Sequence, residues 1–251
     1  MSNKHLERFK NLTYEDFRRM AKDPTLSVHE KIGCPDSYRA SKENAILEDI
    51  TAKLEPLRLT GKTILDIGIG CGALTPKIIE YCASRKHRLI AIDSKEVLEC
   101  IPDRDFIEKI DAYYPDCPSL FERYSGKIDC IISYSVFHYI FVESNVWRFL
   151  DKSLQLLAPG GTMLIGDIPN ISKRRRFFSS DTGVRFHREF TGTGSNPEVT
   201  FNTLLPDGID DSVVIALLER ARNAGFDAYI VPQASDLPMA NRREDLIFIR
   251  P

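Results

Sequence analysis

Several features that would place a protein at a membrane or in an oxidising compartment are missing from this sequence. No segment stays apolar over the length of a bilayer-spanning helix, and Met1 is followed by polar residues instead of a hydrophobic leader. The cysteines form no C-x-x-C pair and have no nearby set of histidines, which argues against a zinc site and a disulfide framework. We therefore expect a soluble, cytoplasmic protein with reduced thiols, no bound metal and no membrane partner.

An excess of either sign of charge is also missing. Lys and Arg number 34 and Asp and Glu number 36, so the formal net charge is -2 and the chain has no overall field that attracts nucleic acid. There are no internal repeats or low-complexity tracts, which excludes a solenoid. A nucleic-acid partner is not expected, and the binding of any anion has to be local.

What the chain does contain is an alternation of short apolar runs with helical patterns. The apolar runs cover residues 63–67, 89–92, 128–133 and 162–166, and the helical patterns between them cover 74–84 and 144–157. Such an alternation predicts a doubly wound α/β fold, with a mostly parallel sheet and helices on both faces. With 251 residues, 43% of them hydrophobic, we expect a single domain.

The segments that flank this core have different patterns. Residues 1–58 predict an amphipathic helical extension, with an apolar face formed by Leu6, Phe9, Tyr14 and Phe17. Residues 169–211 break the alternation and predict an insertion. A helix over 212–224 and strands over 227–231 and 245–249 predict a closing helix and hairpin.

The most informative segment is Ile-Leu-Asp-Ile-Gly-Ile-Gly-Cys-Gly at residues 64–72. Gly68, Gly70 and Gly72 allow a tight turn and a close approach of the backbone to a ligand. A dinucleotide-binding turn has the spacing G-x-G-x-x-G and needs no carboxylate at the end of its strand, whereas here the spacing is G-x-G-x-G after Asp66. A carboxylate there suits a ligand with ammonium and sulfonium groups, and S-adenosylmethionine carries both.

A second acidic residue supports this cofactor. The run 89–92 ends at Asp93, the position from which a carboxylate accepts both ribose hydroxyls, and Ser94 follows it. We therefore assign Asp93 and Ser94 to the cofactor site. A turn without a ligand, or a nicotinamide site, is the alternative.

With these residues, the sequence resembles the class I, Rossmann-like S-adenosylmethionine-dependent methyltransferases over residues 60–168 and the closing hairpin. The resemblance implies a seven-stranded sheet with an antiparallel C-terminal strand. It also implies that Asp111 and Ala112, after a third strand over 106–110, contact the adenine, and that Ser133 and Tyr134 lie beside the methionine part. A solvated loop carboxylate is the alternative for Asp111.

The family resemblance also gives a role to the segment before the core. Similar segments fold over the cofactor, so Tyr38 or Arg39 would meet the cofactor carboxylate, for which Arg39 has the right charge. An ordinary helix start, capped by Ser37 or Ser41, is the alternative.

Two residues are candidates for catalysis because they follow strand ends, where open α/β sheets bind their ligands. His138 would take a proton from a hydroxyl as a general base, or would merely pack over the cofactor. Asp167 would orient a substrate hydroxyl, or would only form the turn before Pro169. The Asp/Asn-Pro-Pro-Tyr/Phe signature of amino methylation is absent after the fourth strand, which disfavours methylation of nucleobase nitrogens.

The densest basic cluster lies in the insertion, where methyltransferases commonly carry substrate-recognition segments. Arg174, Arg175 and Arg176 would clamp a phosphate or carboxylate, and Phe177 would line a pocket. A solvated basic face that balances Asp210 and Asp211 is the alternative.

These observations predict one methyltransferase domain. Its parts would be an N-terminal extension over 1–58, a cofactor-binding core over 59–168, a substrate-recognition insertion over 169–211 and a closing unit over 212–251. The favoured activity is O-methylation of a polar or anionic small molecule, with a faint likeness to methyltransferases of polysaccharide pathways that suggests a sugar or nucleotide sugar. RNA methylation, a non-catalytic cofactor-binding subunit and a nicotinamide-dependent oxidoreductase remain as alternatives, and the oligomeric state is undetermined.

Overall fold

The sheet places the carboxyl ends of its parallel strands along one edge. The computed structural model describes residue 9, residues 11–203 and residues 205–251, so the prediction for Leu6 lies outside it. The seven strands are β1 (Thr63–Ile67), β2 (Arg88–Asp93), β3 (Ile107–Asp111), β4 (Ile128–Tyr134), β5 (Leu157–Pro169), β6 (Asp227–Val231) and β7 (Arg243–Ile249). Their order is β3-β2-β1-β4-β5-β7-β6.

The first five strands are parallel, and β7 runs antiparallel between β5 and β6. The predicted fold class is therefore confirmed, including the antiparallel C-terminal strand and the pairing of the last two strands. One boundary is wrong. The apolar run 162–166 predicted a shorter fifth strand, but residues 158–161 also belong to β5 because Gly160 and Gly161 pair through their backbones with Arg250.

Helices cover both faces and the edge where the strands end. They are α1 (Tyr14–Lys22), α2 (Asp36–Arg39), α3 (Glu43–Lys53), α4 (Glu55–Arg58), α5 (Leu74–Ser84), α6 (Lys95–Leu98), α7 (Pro118–Tyr124), α8 (Phe137–Glu143), α9 (Val146–Leu156), α10 (Ile171–Phe178), α11 (Asp181–Thr191) and α12 (Asp211–Asn223). The helix predicted over 144–157 begins at Val146 because the side chain of Asn145 accepts from the amides of Trp147 and Arg148. No pattern in the sequence predicted α8, which carries His138.

The sheet separates two apolar layers, as alternation along buried strands requires. Leu65 and Ile131 face the layer that contains α9 and α12, whereas Ile64 and Ile132 face the layer that contains α3 and α5. The insertion consists of α10 and α11, which pack against each other through Phe177, Phe178 and Phe186. None of the described helices is long and apolar enough to cross a membrane.

The packing of α10 on α11 depends on Gly183. A Cβ at this position would lie 2.0 Å from the carbonyl oxygen of Phe177. We expect Gly183→Ala to lower the free energy of unfolding by about 3 kcal/mol, because backbone atoms must shift to make room. Gly194→Ala is the matched control, since a Cβ there meets nothing within 4 Å. Urea unfolding measures both, and equal midpoints for the two variants would contradict the packing described.

Candidate functional site

The glycine-rich turn after β1 is held against the end of β2. Gly68 and Gly70 have φ of 73° and 67°, in the left-handed region that favours glycine, and a Cβ on Gly68 would lie 2.7 Å from Cγ2 of Val136. The Gly70 amide donates to Oδ2 of Asp93 at 3.0 Å, and the Ser94 amide donates to Oδ1 at 2.7 Å. The turn therefore fixes the carboxylate that was predicted to bind the ribose.

Two carboxyl groups lie side by side beneath this turn. Burial, and then the neighbouring charge of Asp93, raise the pKa of Asp66 to about 8. Burial also raises the pKa of Asp93 to about 6, although the amides of Gly70 and Ser94 oppose the shift. A cationic ligand would relieve both effects, because it stabilises the ionised carboxylates.

A cavity opens over these groups. It brings together most of the residues predicted to bind the cofactor: Asp66, Gly68, Gly70, Gly72, Asp93, Ala112, Tyr134 and Arg39. Four predicted residues do not line this cavity, and one of them, Tyr38, lines a neighbouring cavity described below. Ser94 caps α6 by accepting from the Val97 amide, Asp111 is exposed at the end of β3, and Ser133 is fully buried because strand alternation turns it away from its neighbour Tyr134.

Other residues of this first cavity were not singled out as site residues. Tyr14 and Phe17 reach it from α1, where the sequence showed only an apolar face, and Tyr113 and Tyr114 follow directly on Ala112. The pKa of Tyr14 is raised by burial and then by Asp93, so its phenol stays neutral. The sequence did indicate Tyr113 and Tyr114 in one respect, because they are aromatic residues next to Ala112, a predicted adenine contact.

A second cavity adjoins the first. Both are lined by Arg39, Tyr134, Ser135 and Tyr139, which therefore form their shared wall. The second cavity is further lined by Tyr38, His138, Asp167, Met239 and Arg243. Tyr38 thus lies in the second cavity, while its neighbour Arg39 lies in both.

Asp167 is held in an unusual conformation at this wall. Its φ is 59° and that of Ser135 is 60°, although neither residue is glycine. The Ser135 hydroxyl donates to Oδ2 of Asp167 at 2.6 Å, and the Asp167 amide donates to the fully buried carboxylate of Asp245 at 2.8 Å. The contact to Asp245 replaces a ladder hydrogen bond at an irregularity of β5. Strained backbone at the ends of two neighbouring strands is typical of functional sites.

His138 is neutral in this setting. Burial, and then the neighbouring charge of Arg243, lower its pKa to about 3. Its Nδ1 is buried without a hydrogen-bond partner among the described residues. A group with so low a pKa is a weak proton acceptor at neutral pH.

Arg39 is a buried cation that has no carboxylate partner among the described residues. It is 9% exposed, and its Nε has no hydrogen-bond partner in the part of the chain that the structure describes. One terminal nitrogen donates to the Ser135 hydroxyl at 3.4 Å, and the guanidinium lies 5.7 Å from the centre of the Tyr134 ring. A buried charge of this kind requires an anion.

The predicted arginine clamp is not assembled. Arg174, Arg175, Arg176 and Phe177 line neither cavity. Arg175 donates to the carbonyl of Thr203 and Arg176 pairs with Asp211, while Phe177 packs inside the insertion. The four residues point in different directions because they follow one another along α10, where consecutive side chains are about 100° apart. Within the described ranges, no three His, Cys, Asp or Glu side chains come together as metal ligands.

Comparison with known proteins agrees with this geometry. Residues 65–165 match a family model described as a methyltransferase domain. Among solved structures, a protein of Methanococcus maripaludis assigned as an S-adenosyl-L-methionine-dependent methyltransferase is 19% identical, with 95% of this chain and 93% of that chain covered and a TM-score of 0.52. No curated protein matches the chain.

Two further solved structures share the fold. The plantazolicin methyltransferase BpumL, in complex with a pentazolic desmethylPZN analog and SAH, is 17% identical, with 98% and 99% of the two chains covered and a TM-score of 0.55. The CurJ carbon methyltransferase is 19% identical, with 98% of this chain and 65% of that chain covered and a TM-score of 0.55. At these identities the likeness establishes a common fold.

Proposed function

We propose that this chain is a class I, S-adenosylmethionine-dependent methyltransferase, as the match of residues 65–165 to a methyltransferase-domain model supports, and that it methylates an oxygen of a polar small molecule held in the second cavity. The observation that carries the proposal is the shared wall, because Ser135 and Arg39 face both cavities. A cofactor in the first cavity and an acceptor in the second would thus be neighbours. The match of residues 65–165 to a methyltransferase domain favours this proposal over a nicotinamide-dependent oxidoreductase.

The residues of the first cavity fit S-adenosylmethionine. The glycine turn leaves space where any Cβ would intrude, Asp66 and Asp93 suit its cationic end and its ribose, and the orphaned Nε of Arg39 suits its carboxylate. Bound there, the cofactor supplies an electrophilic methyl group. The chain itself contributes the orientation of the acceptor and the removal of its proton.

Asp167 is the residue best placed to receive that proton. Its carboxylate lines the second cavity, whereas the low pKa of His138 argues against a role for the imidazole as general base. Ser135 and Arg243 hold Asp167 from two sides: Ser135 donates to its carboxylate, and Arg243 donates to its carbonyl at 3.0 Å. We assign to His138 an orienting role.

Helix α11 of the insertion lies close to Tyr38, a residue that lines the second cavity, which supports the assignment of the insertion to substrate recognition. The ring centres of Phe190 in α11 and Tyr38 are 6.1 Å apart.

The direct test of function is a screen of sugars, nucleotide sugars, phenols and hydroxy acids with S-adenosylmethionine, with S-adenosylhomocysteine release as the readout. Release that depends on a hydroxyl or carboxyl acceptor supports the proposal. Turnover with amines alone would contradict O-methylation.

We expect Asp167→Asn to lower kcat for a hydroxyl acceptor from this screen by about 100-fold or more, because the variant keeps the shape of the side chain but loses the proton acceptor. Asn tolerates the left-handed backbone, so the fold should persist. The affinity for S-adenosylhomocysteine, measured by calorimetry, should stay within about twofold. Asp211→Asn, outside both cavities, is the control, and an undiminished kcat in Asp167→Asn would rule out the proposed base.

A further inference from the structure

The wall of the second cavity carries more positive than negative charge. Among the described residues that line it, Arg39 and Arg243 are cations and Asp167 is the single carboxylate. Nε of Arg243 lies 3.8 Å from Oδ1 of Asp167, so these two charges offset each other. If the cofactor carboxylate binds Arg39, the charges of the residues that line the second cavity cancel. The charge of the side chains next to the lining then decides which ligands the cavity attracts.

Those adjacent side chains are also cations. Arg242 precedes Arg243 and makes no ion pair within the described ranges, where its hydrogen bond goes to Oδ1 of the neighbouring Asn241 at 3.1 Å. Burial, and then the charge of Arg243, lower the pKa of Arg242, and the Tyr38 phenol and Asp167 also act on it. Arg242 does not itself line the second cavity, but Met239 and Arg243 do, and the Arg242 amide donates to the carbonyl of Met239 at 2.9 Å.

A third cation, Arg174, lies over the same aromatic ring as Arg242. The guanidinium of Arg242 lies 5.7 Å and that of Arg174 lies 5.1 Å from the centre of the Phe178 ring. Arg174 likewise has no carboxylate partner in the part of the chain that the structure describes, and its charge also lowers the pKa of Arg242. The acidic residues nearest in the chain are already engaged, since Glu244 accepts from Asn170.

We propose that Arg243 in the wall of the second cavity, reinforced by the charges of the neighbouring Arg242 and Arg174, attracts an anion there, so that the methyl acceptor carries a carboxylate or phosphate group. This inference rests on the proposed function and names its substrate class. Like-charged guanidinium groups that share so little counter-charge repel one another, and a bound anion relieves that repulsion. Arginine binds carboxylate and phosphate through paired hydrogen bonds, which gives selectivity for charge as well as shape.

The test compares an acid with its neutral analogue on protein saturated with S-adenosylhomocysteine. We choose 4-hydroxyphenylacetate and 4-hydroxyphenylacetamide as probes, because the cavity is lined by Tyr38, Tyr134 and Tyr139 and the two molecules have nearly the same shape but differ in charge. NMR titration should show the acid binding about tenfold more tightly than the amide. Inorganic phosphate is titrated as a second anion. If it binds at the same site, the Arg242→Gln variant should lose phosphate binding as well as the preference for the acid.

Arg242→Gln should reduce the preference for the acid to about twofold or less, and Arg242→Lys should restore part of it. Arg176→Gln is the matched control, because Arg176 belongs to the same basic run as Arg174 but pairs with Asp211. Equal affinity for acid and amide, no saturable binding of the acid up to roughly 20 mM, or an unchanged preference in Arg242→Gln would each overturn the inference. Failure of S-adenosylhomocysteine itself to bind would instead count against the proposed function.

Discussion

Asp93→Asn is expected to weaken binding of S-adenosylhomocysteine by about 100-fold. An amide in place of this carboxylate would turn one donor group toward the backbone amides of Gly70 and Ser94, so the turn and the acceptor for the ribose hydroxyls are both disturbed. Hydrogen bonds to a charged group contribute about 1.5–3 kcal/mol each, and the loss of one or two of them gives this magnitude. Isothermal titration calorimetry measures the change directly.

The control for this prediction is Asp111→Asn. Asp111 is the partner of Asp93 in the pairing of β2 with β3, but its side chain is exposed and outside the first cavity. Its replacement should change the affinity by less than about threefold. A similar loss in both variants would mean that Asp111 binds the adenine after all, as the family resemblance implied.

Asp66→Asn is expected to stabilise the ligand-free protein on the order of 3 kcal/mol near pH 8. The folded-state pKa of Asp66 is raised to about 8, so the native protein holds a proton that the unfolded chain releases near the ordinary carboxyl pKa. The folded state is therefore penalised progressively as the pH rises from about 4 to about 8, and the penalty is absent below that window. An amide cannot ionise and escapes it.

Thermal unfolding of wild type and Asp66→Asn across this pH range tests the sign. The difference in Tm should be small at about pH 4 and grow toward pH 8. Asp105→Asn, which removes an exposed carboxyl, should leave the pH dependence nearly unchanged. If Asp66→Asn is less stable than wild type at every pH, then ionisation of the Asp66 carboxyl does not destabilise the folded protein, and the prediction is wrong. The same variant should bind S-adenosylmethionine more weakly, which is the usual relation between stability and function at a binding site.

The sequence was sufficient for the sheet and for most of the first cavity, because both depend on local patterns. Apolar runs define buried strands, and the glycine spacing with Asp66 and Asp93 defines the ligand turn. The position of Ser133 shows the limit of this reasoning. A shift of a single residue reverses the face of a strand, so the neighbouring Tyr134 and Ser135 reach the cavities while Ser133 does not.

The second cavity could not be predicted in the same way. Its wall joins Asp167 to Arg243, which are 76 residues apart, and their proximity depends on the antiparallel pairing of β5 with β7. The basic run 174–176 was predicted to bind substrate because of its density and its position in the insertion. Density along a helix spreads side chains around its circumference, so only Arg174 faces Phe178 and the cations behind the cavity.

The position of Arg39 in the shared wall has a thermodynamic consequence. An anion bound to this guanidinium from one cavity changes the charge that the other cavity presents. The two binding equilibria are then linked, and the linkage is reciprocal: whatever factor the cofactor imposes on acceptor affinity, the acceptor imposes on cofactor affinity. Sequential loading and release of the two ligands would then be governed by one side chain, without any movement of the sheet.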